Sequence, residues 1–382
     1  MGRRIVKAGL AAGAALMLAA CGGGSDPAAI GSTGGADGGG KNGGAGEGGS
    51  DGGVKTAPLG RPGTLTVSFC HDIPNGNGGE LYALTVRSLS AKDAAVVAER
   101  SLVLPEGVEP TSGCGSDGPD HDESSAFNKD FTQVAAIVSA TTDRAAAFDL
   151  TTGQEISPPD KDTFAKPPKN DGAAFHPVTG RLWYDLHDSA TGYASRDPKG
   201  GPSTEERVAE DKVPDLVKRD GATANTILAI NGDSVATPQG GIVATGNSTF
   251  GLHLSRVDTL RSDGFLSEIE TVGLGEKEEW CEPSFWRDAT TLVCSEFKQL
   301  TFSADYKKVL KTEQLVPEND RISLPPVLAP DGKSFAFLSH GEDDQWALFR
   351  GDFSGGQPVK IGNVDRPIDG AEHHRTALVR WS

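Results

Sequence analysis

Between Leu328 and Ile361 the chain alternates turn and strand three times over. Leu328-Ala329-Pro330-Asp331-Gly332-Lys333 is a turn by composition, because Pro presets φ while Asp and Gly close a tight reversal. Ser334–Ser339 then alternates around Phe335 and Phe337, as a strand does. Gly341-Glu342-Asp343-Asp344 is a second turn, Trp346-Ala347-Leu348-Phe349 a second strand, Asp352–Gly356 a third turn and Pro358–Ile361 a last strand. Weaker copies lie upstream at Phe175–Tyr184, Thr237–Val243 and Phe285–Val293, with the faintest at Asn128-Lys129-Asp130-Phe131 before Val134–Val138. With Gly63, Asp130, Gly180, Gly240, Asp288 and Gly332 as anchors, the separations are 67, 50, 60, 48 and 44 residues. Short strands repeated in fours at about 40–50 residues build a β-propeller. Six anchors imply an all-β, six-bladed β-propeller with four-stranded antiparallel blades; a pair of irregular β-sandwiches is the competing architecture. An open ring would leave unpaired edges. Thr376–Trp381 is a spare strand, expected to complete the blade that Thr64–Phe69 begins. Ser203–Arg219 has partly helical spacing and is expected to be a helical insertion.

The unit at 328–361 resembles the blade repeat of TolB-type β-propellers. That repeat reads Pro-Asp-Gly, an apolar strand, an acidic turn, an aromatic strand, then Gly-Gly and a short edge strand. The resemblance implies four strands running outward from the axis in each blade. It also implies that loops joining the second strand to the third, and the fourth to the next blade, emerge on one face.

The N-terminus carries Arg3, Arg4 and Lys7, followed by the apolar run Ala8–Ala20. Thirteen residues are too few to span a bilayer, which takes roughly 20, and the arrangement is that of a secretory signal peptide. Leu18-Ala19-Ala20-Cys21 resembles the lipobox of bacterial lipoproteins. The resemblance implies cleavage before Cys21, lipidation of Cys21 and anchoring at the extracytoplasmic face of the cell membrane. Two acyl chains suffice for stable anchoring where one does not. Arg3-Arg4 also fits a twin-arginine signal, so the export route stays open. Of the 50 glycines, 17 fall in residues 22–60, and such a segment buries too little apolar surface to order itself. The expected organisation is a signal peptide at 1–20, lipidated Cys21 with a disordered Gly-rich tether through 61, and the propeller at 62–382.

The formal charge is −17, and −20 once the three cations of the signal peptide are removed. That balance excludes a nucleic-acid binder, whose affinity needs clustered positive charge. The mature chain keeps Cys70, Cys114, Cys281 and Cys294, an even count that suggests two disulfides in an exported protein. Three pairings are open; proximity and blade position favour Cys70–Cys114 and Cys281–Cys294. In the second pair the midpoint falls at Arg287-Asp288, so a hairpin centred there sets the two cysteines directly opposite each other.

No phosphate loop, zinc-protease motif or dinucleotide fingerprint is present, and the sequence implies neither cofactor nor resident metal. Gly332-Lys333-Ser334 ends like a phosphate loop, but Val327 stands where the first glycine is required. His71, His176, His187, His253 and His340 fall near strands of different blades, which leaves open a metal site in the central channel. Glu278, Glu279 and Glu282 around Trp280 are candidates for paired carboxylates. The longest connections, 104–126, 158–171, 197–225 and 273–282, are expected to share one face, and much of it is acidic. Asp120, Asp122, Glu278 and Glu279 mark that face as a binding surface for a basic protein segment or a divalent cation. The reading is a monomeric, membrane-tethered binding or scaffolding module for an envelope or extracellular partner. The alternative is a propeller lyase or hydrolase acting on extracellular glycans.

Overall fold

Asp331 shows why the repeats recur at a polar residue: its Oδ1 accepts the Lys333 amide at 2.9 Å and reverses the chain. Asp288 does the same for Thr290 at 2.9 Å. Asn128 Oδ1 accepts the amides of Thr132 and Gln133 at 2.8 and 3.0 Å. His176 takes the role with a ring nitrogen, Nδ1 accepting the amides of Val178 and Thr179, each at 3.2 Å. Each of these turns joins the first strand of a sheet to the second.

The computed structural model describes residues 56–74, 80–111, 123–139, 143–156, 172–185, 193–199, 226, 234–236, 241–247, 251–260, 266–272, 281–342, 345–367 and 374–382. Contacts divide the chain into Met1–Gly49 and Ser50–Ser382, and every described residue belongs to the second unit. Sheet I holds β1 (Thr64–Pro74), β2 (Glu80–Ser90) and β3 (Val96–Val103). Sheet II holds β4 (Val108–Pro110), β5 (Gln133–Val138) and β6 (Arg144–Asp149), with a 3-10 turn at Glu123–Ala126. Sheet III is β7 (Ala173–Phe175), β8 (Leu182–Asp185) and β9 (Tyr193–Arg196). Sheet IV is β10 (Ser234–Ala236), β11 (Ile242–Asn247), β12 (Gly251–Leu260) and β13 (Leu266–Glu268). Sheet V is β14 (Pro283–Trp286), β15 (Thr291–Cys294), β16 (Lys298–Phe302) and β17 (Val309–Gln314). Sheet VI is β18 (Ile322–Ser323), β19 (Val327–Leu328), β20 (Ser334–His340), β21 (Trp346–Asp352) and β22 (Val359–Val364). The last strand, β23 (His374–Trp381), returns to pair with β1.

That return closes the fold. β23 pairs with β1 from Leu65↔Trp381 to His71↔His374. The Gly63 amide donates to the Ser382 carbonyl at 2.7 Å, and the Ser382 amide donates to the Thr64 carbonyl at 2.8 Å. First strands of successive sheets touch: β10 with β14, β14 with β19, β19 with β23. Antiparallel meanders set side by side, first strands together and termini joined in one sheet, make a β-propeller.

Strands in the middle of a sheet are buried on both faces. β1 is covered along Thr64–His71 and β20 along Ser334–Ser339, because sheet I is packed between sheets II and VI, and sheet VI between sheets V and I. Alternation then decides which neighbour a side chain meets. Phe335 and Phe337 of β20 face sheet V, whereas Ala336 and Leu338 face sheet I. Val134 and Ala136 of β5 join the core shared with sheet I, and Ala135 the core shared with sheet III. The outer strand β17 is largely exposed.

Several expectations change. Among the described residues, three of the six sheets have four strands, sheets II and III have three, and sheet VI has five; the strands are not sorted into six uniform four-stranded blades. In sheet VI the first strand is cut into β18 and β19, which pair with the same edge of β20, because Pro325 and Pro326 between them cannot donate to a ladder. Residues 104–126 are not one connection. Only 104–107 link β3 to β4, and after Thr111 the first strand of sheet II resumes at the Phe127↔Val134 bridge. The helical insertion expected at Ser203–Arg219 lies outside the described residues. Among the described residues, no helix is long and apolar enough to cross a membrane.

Candidate functional site

Cys281 and Cys294 are joined, with Cα atoms 5.1 Å apart. They are not directly opposed. Trp286 pairs with Leu292 and Phe285 with Val293, so the hairpin centres on Ala289 rather than Arg287-Asp288. An irregularity at Ser284 then sets Pro283, not Cys281, against Cys294. The bridge therefore ties the residues just outside the ladder, and it brings Glu282 beside the Ser295-Glu296-Phe297 turn. The Ser295 amide donates to the Glu282 carbonyl at 2.8 Å, and the Ser295 hydroxyl donates to Glu282 Oε2 at 3.0 Å. The Glu282 amide donates to Glu296 Oε2 at 3.4 Å. Gln314, at the end of β17, donates through Nε2 to the Glu296 carbonyl at 2.9 Å.

Phe297 closes the turn with φ at +61°, a left-handed conformation that a bulky residue rarely holds. Its ring is buried against Phe337, 4.6 Å between centroids, which offsets the backbone strain. Above that ring opens a cleft of about 550 Å³, walled by Glu282, Ser295–Phe297, Gln314 and residues 316–319 with Arg321 and Ser323–Pro325. The walls come from the β15–β16 turn and from the connection leaving β17 for sheet VI, the two loop classes expected to share a face.

Charge around the cleft is acidic. Glu282, Glu296 and Glu318 line it, and Arg321 is its one basic residue among the described residues. Arg321 is turned to neutral partners: Nε donates to the Ser339 hydroxyl at 3.0 Å, another guanidinium nitrogen to the Ser339 carbonyl at 2.9 Å, and its carbon lies 5.2 Å from the Phe349 ring centre. Desolvation by the surrounding walls raises the Glu296 carboxyl above its ordinary value, and the neighbouring Glu282 carboxylate raises it further, against the pull of nearby hydrogen bonds.

Of the face expected from sequence, Asp120, Asp122, Glu278 and Glu279 lie outside the described residues. Glu282 is in the cleft, but its companions there are Glu296 and Glu318, which the sequence reading passed over. The signal for Glu296 was the Cys281–Cys294 pair, which makes residues 282 and 295 neighbours; nothing in the sequence marked Glu318. Cys70 is disulfide-bonded; Cys114 and Cys21 lie outside the described residues.

The histidines are dispersed. His71 is buried in β1, where desolvation lowers its pKa against the opposing effect of Asp72. His176 caps a turn, His253 pairs with Glu268 at 2.7 Å and His340 packs on Trp346. His187 lies outside the described residues. Among the described residues, no three metal-ligating side chains converge.

No family model matches the sequence, and no curated protein does. Among solved structures the chain is similar to TolB from Acinetobacter baumannii, with 11% identity, 78% of this chain and 52% of that chain covered, and a TM-score of 0.30. The chain thus spans about half of that TolB. It is also similar to a putative 6-phosphogluconolactonase from Bacteroides uniformis (15% identity, 79% and 82% covered, TM-score 0.33). A third likeness is oligogalacturonate lyase from Vibrio parahaemolyticus (9% identity, 80% and 75% covered, TM-score 0.35). The propeller assignment rests on the sheet order and terminal closure described above.

Proposed function

We propose that this chain is a lipoprotein held at the extracytoplasmic membrane face through Cys21 and its Gly-rich tether, and that its propeller is a binding module for a basic segment of a partner protein. One observation carries the reading: the cleft between sheets V and VI sets three carboxylates over apolar walls. A lysine or arginine side chain has the matching shape, an apolar stem with a charged tip. Loops on a rigid scaffold commonly carry recognition, and an acidic face steers cationic partners.

The test is equilibrium binding of a fluorescent lysine-rich peptide to the full chain. Replacing Glu282, Glu296 and Glu318 together by Gln should weaken binding by roughly tenfold or more, a loss of about 1.4 kcal/mol, and the parent's affinity should fall as salt rises. Unchanged affinity in the triple variant overturns the reading. Cys21→Ala tests the anchor: the variant should leave the membrane fraction or stay unprocessed, and identical fractionation and migration contradict lipidation.

A second reading, an acid–base enzyme on extracellular glycans, is favoured by a raised Glu296 beside Glu282, since carboxylates in unlike environments can divide acid and base roles. Turnover of a glycan that disappears in Glu296→Gln would establish it over binding alone.

A further inference from the structure

One sheet further round the ring, the same kind of loops holds a different arrangement. Trp346 begins β21, paired on one side with His340 at the end of β20 and on the other with Val364 at the end of β22. These positions sit where β20 turns into β21 and where the chain leaves β22, so they share the face that carries the cleft. The Trp346 side chain is packed in the core between sheets VI and I, only 6% exposed, and its Nε1 donor is sealed from solvent with no acceptor among the described residues. Arg366 holds its guanidinium carbon 5.8 Å from the centre of that indole. Its Nε is also sealed and lacks an acceptor among the described residues. Among the described residues no carboxylate pairs with Arg366, in a chain with 53 acidic residues against 36 basic ones.

A buried donor without an acceptor costs free energy, and native proteins rarely leave one unmatched. Here two such donors belong to side chains that touch, and one of them is a cation. A water would satisfy them but would bring two donors of its own. An oxyanion brings acceptors only, plus the charge Arg366 lacks, and Arg is the side chain best shaped to hold carboxylate or phosphate. We infer that Trp346 and Arg366 form a binding site for an oxyanion group, a carboxylate or phosphate, at the seam between sheets VI and I. Trp183 gives the contrast: its Nε1 also lacks an acceptor, but its ring neighbour is His176, already engaged by two backbone amides.

The experiment is a titration of the ¹⁵N-labelled full chain with sodium acetate or sodium phosphate at constant ionic strength, following the indole N–H signals. The Trp346 signal should shift and saturate while the Trp183 signal stays in place. Saturation by acetate alone marks a carboxylate site, and saturation by phosphate alone a phosphate site. Arg366→Gln should weaken the response by roughly tenfold or more, the loss expected for a charge-assisted hydrogen bond. Arg366→Lys, which keeps the charge but not the planar fork, should bind with intermediate affinity; an undisturbed Trp183 signal shows that either variant is folded. A Trp346 signal that ignores both anions, drifts without saturating, or responds equally in Arg366→Gln overturns the site. A strong water cross-peak at the Trp346 indole without an anion response identifies an occluded water only, and overturns it as well.

Discussion

The seam between sheets II and III and the seam between sheets V and VI have the same topology and opposite fillings. Among the described residues the first is lined by Ala135, Ala145, Ala147, Ala173 and Ala194, with Phe175, Leu182 and Tyr184 as its large buried residues and Ile137 and Ile156 at its margin. The second holds Phe297, Phe335, Phe337 and Phe353, with Phe285 and Phe349 at its margin. In the aromatic seam Phe337 lies 4.6 Å from Phe297 and 5.4 Å, stacked, from Phe349. Phe335 has room because its cross-strand partner is Gly351, where a Cβ would fall on the Phe335 ring. The difference teaches how one architecture accommodates unlike sequences. Small side chains let sheets approach closely and leave little side-chain volume to lose. Rings fill the space between sheets, and the turn that supplies one of them, Phe297, also supplies Glu296 to the cleft above.

The largest expected effect is on the aromatic side. Phe337→Ala should cost about 3–5 kcal/mol, the usual range for a buried Phe, measured by urea unfolding of the full chain. A loss below about 1 kcal/mol would mean that the aromatic seam does not hold sheets V and VI together. Removing the Cys281–Cys294 bridge, as Cys281→Ser with Cys294→Ser, should cost about 3 kcal/mol from loop entropy and should also weaken peptide binding, because Glu282 is no longer tied to the Ser295 turn. A change in stability with unaltered binding would separate the staple from the site. The alanine seam should respond in the opposite sense, to added rather than removed volume. Ala135→Leu, at a position with 0% exposure, should cost about 1–3 kcal/mol by overpacking; a neutral result would show that this seam is slack. The smallest effect is electrostatic. The fold raises the Glu296 pKa, so the folded state holds that proton more tightly than the unfolded chain. The associated stability is present below the unfolded value of about 4.3 and is lost as pH rises through the raised folded value. Glu296→Gln should flatten the stability–pH curve across that window, and a curve identical to the parent's would remove the shift.

The same contrast governs how much could be read from the sequence. Sheet VI was legible because Pro330-Asp331-Gly332 and the alternating Phe335 and Phe337 carry strong turn and strand signals. Sheet II was faint because its inner strands are built from alanine, a weak strand former, and because its first strand pairs at Val108–Pro110 and again at the distant Phe127↔Val134 bridge. The closure of β1 by β23 was legible from an apolar run left without a partner. The candidate site was half legible. Glu282 was grouped with Glu278 and Glu279 along the chain, whereas its partner Glu296 lies across a hairpin. A one-residue irregularity at Ser284 displaced that hairpin's centre from Arg287-Asp288 to Ala289, and composition carries no mark of such a shift.

The most direct test of the cleft is the titration of the Glu296 carboxyl itself, followed by carbon NMR in the full chain with and without the lysine-rich peptide. The free protein should titrate above the ordinary glutamate value of about 4.3, and the bound peptide should bring the midpoint down, because a nearby cation favours the charged form. A midpoint at the ordinary value that does not move when peptide is added would contradict an acidic cleft built to receive a cation.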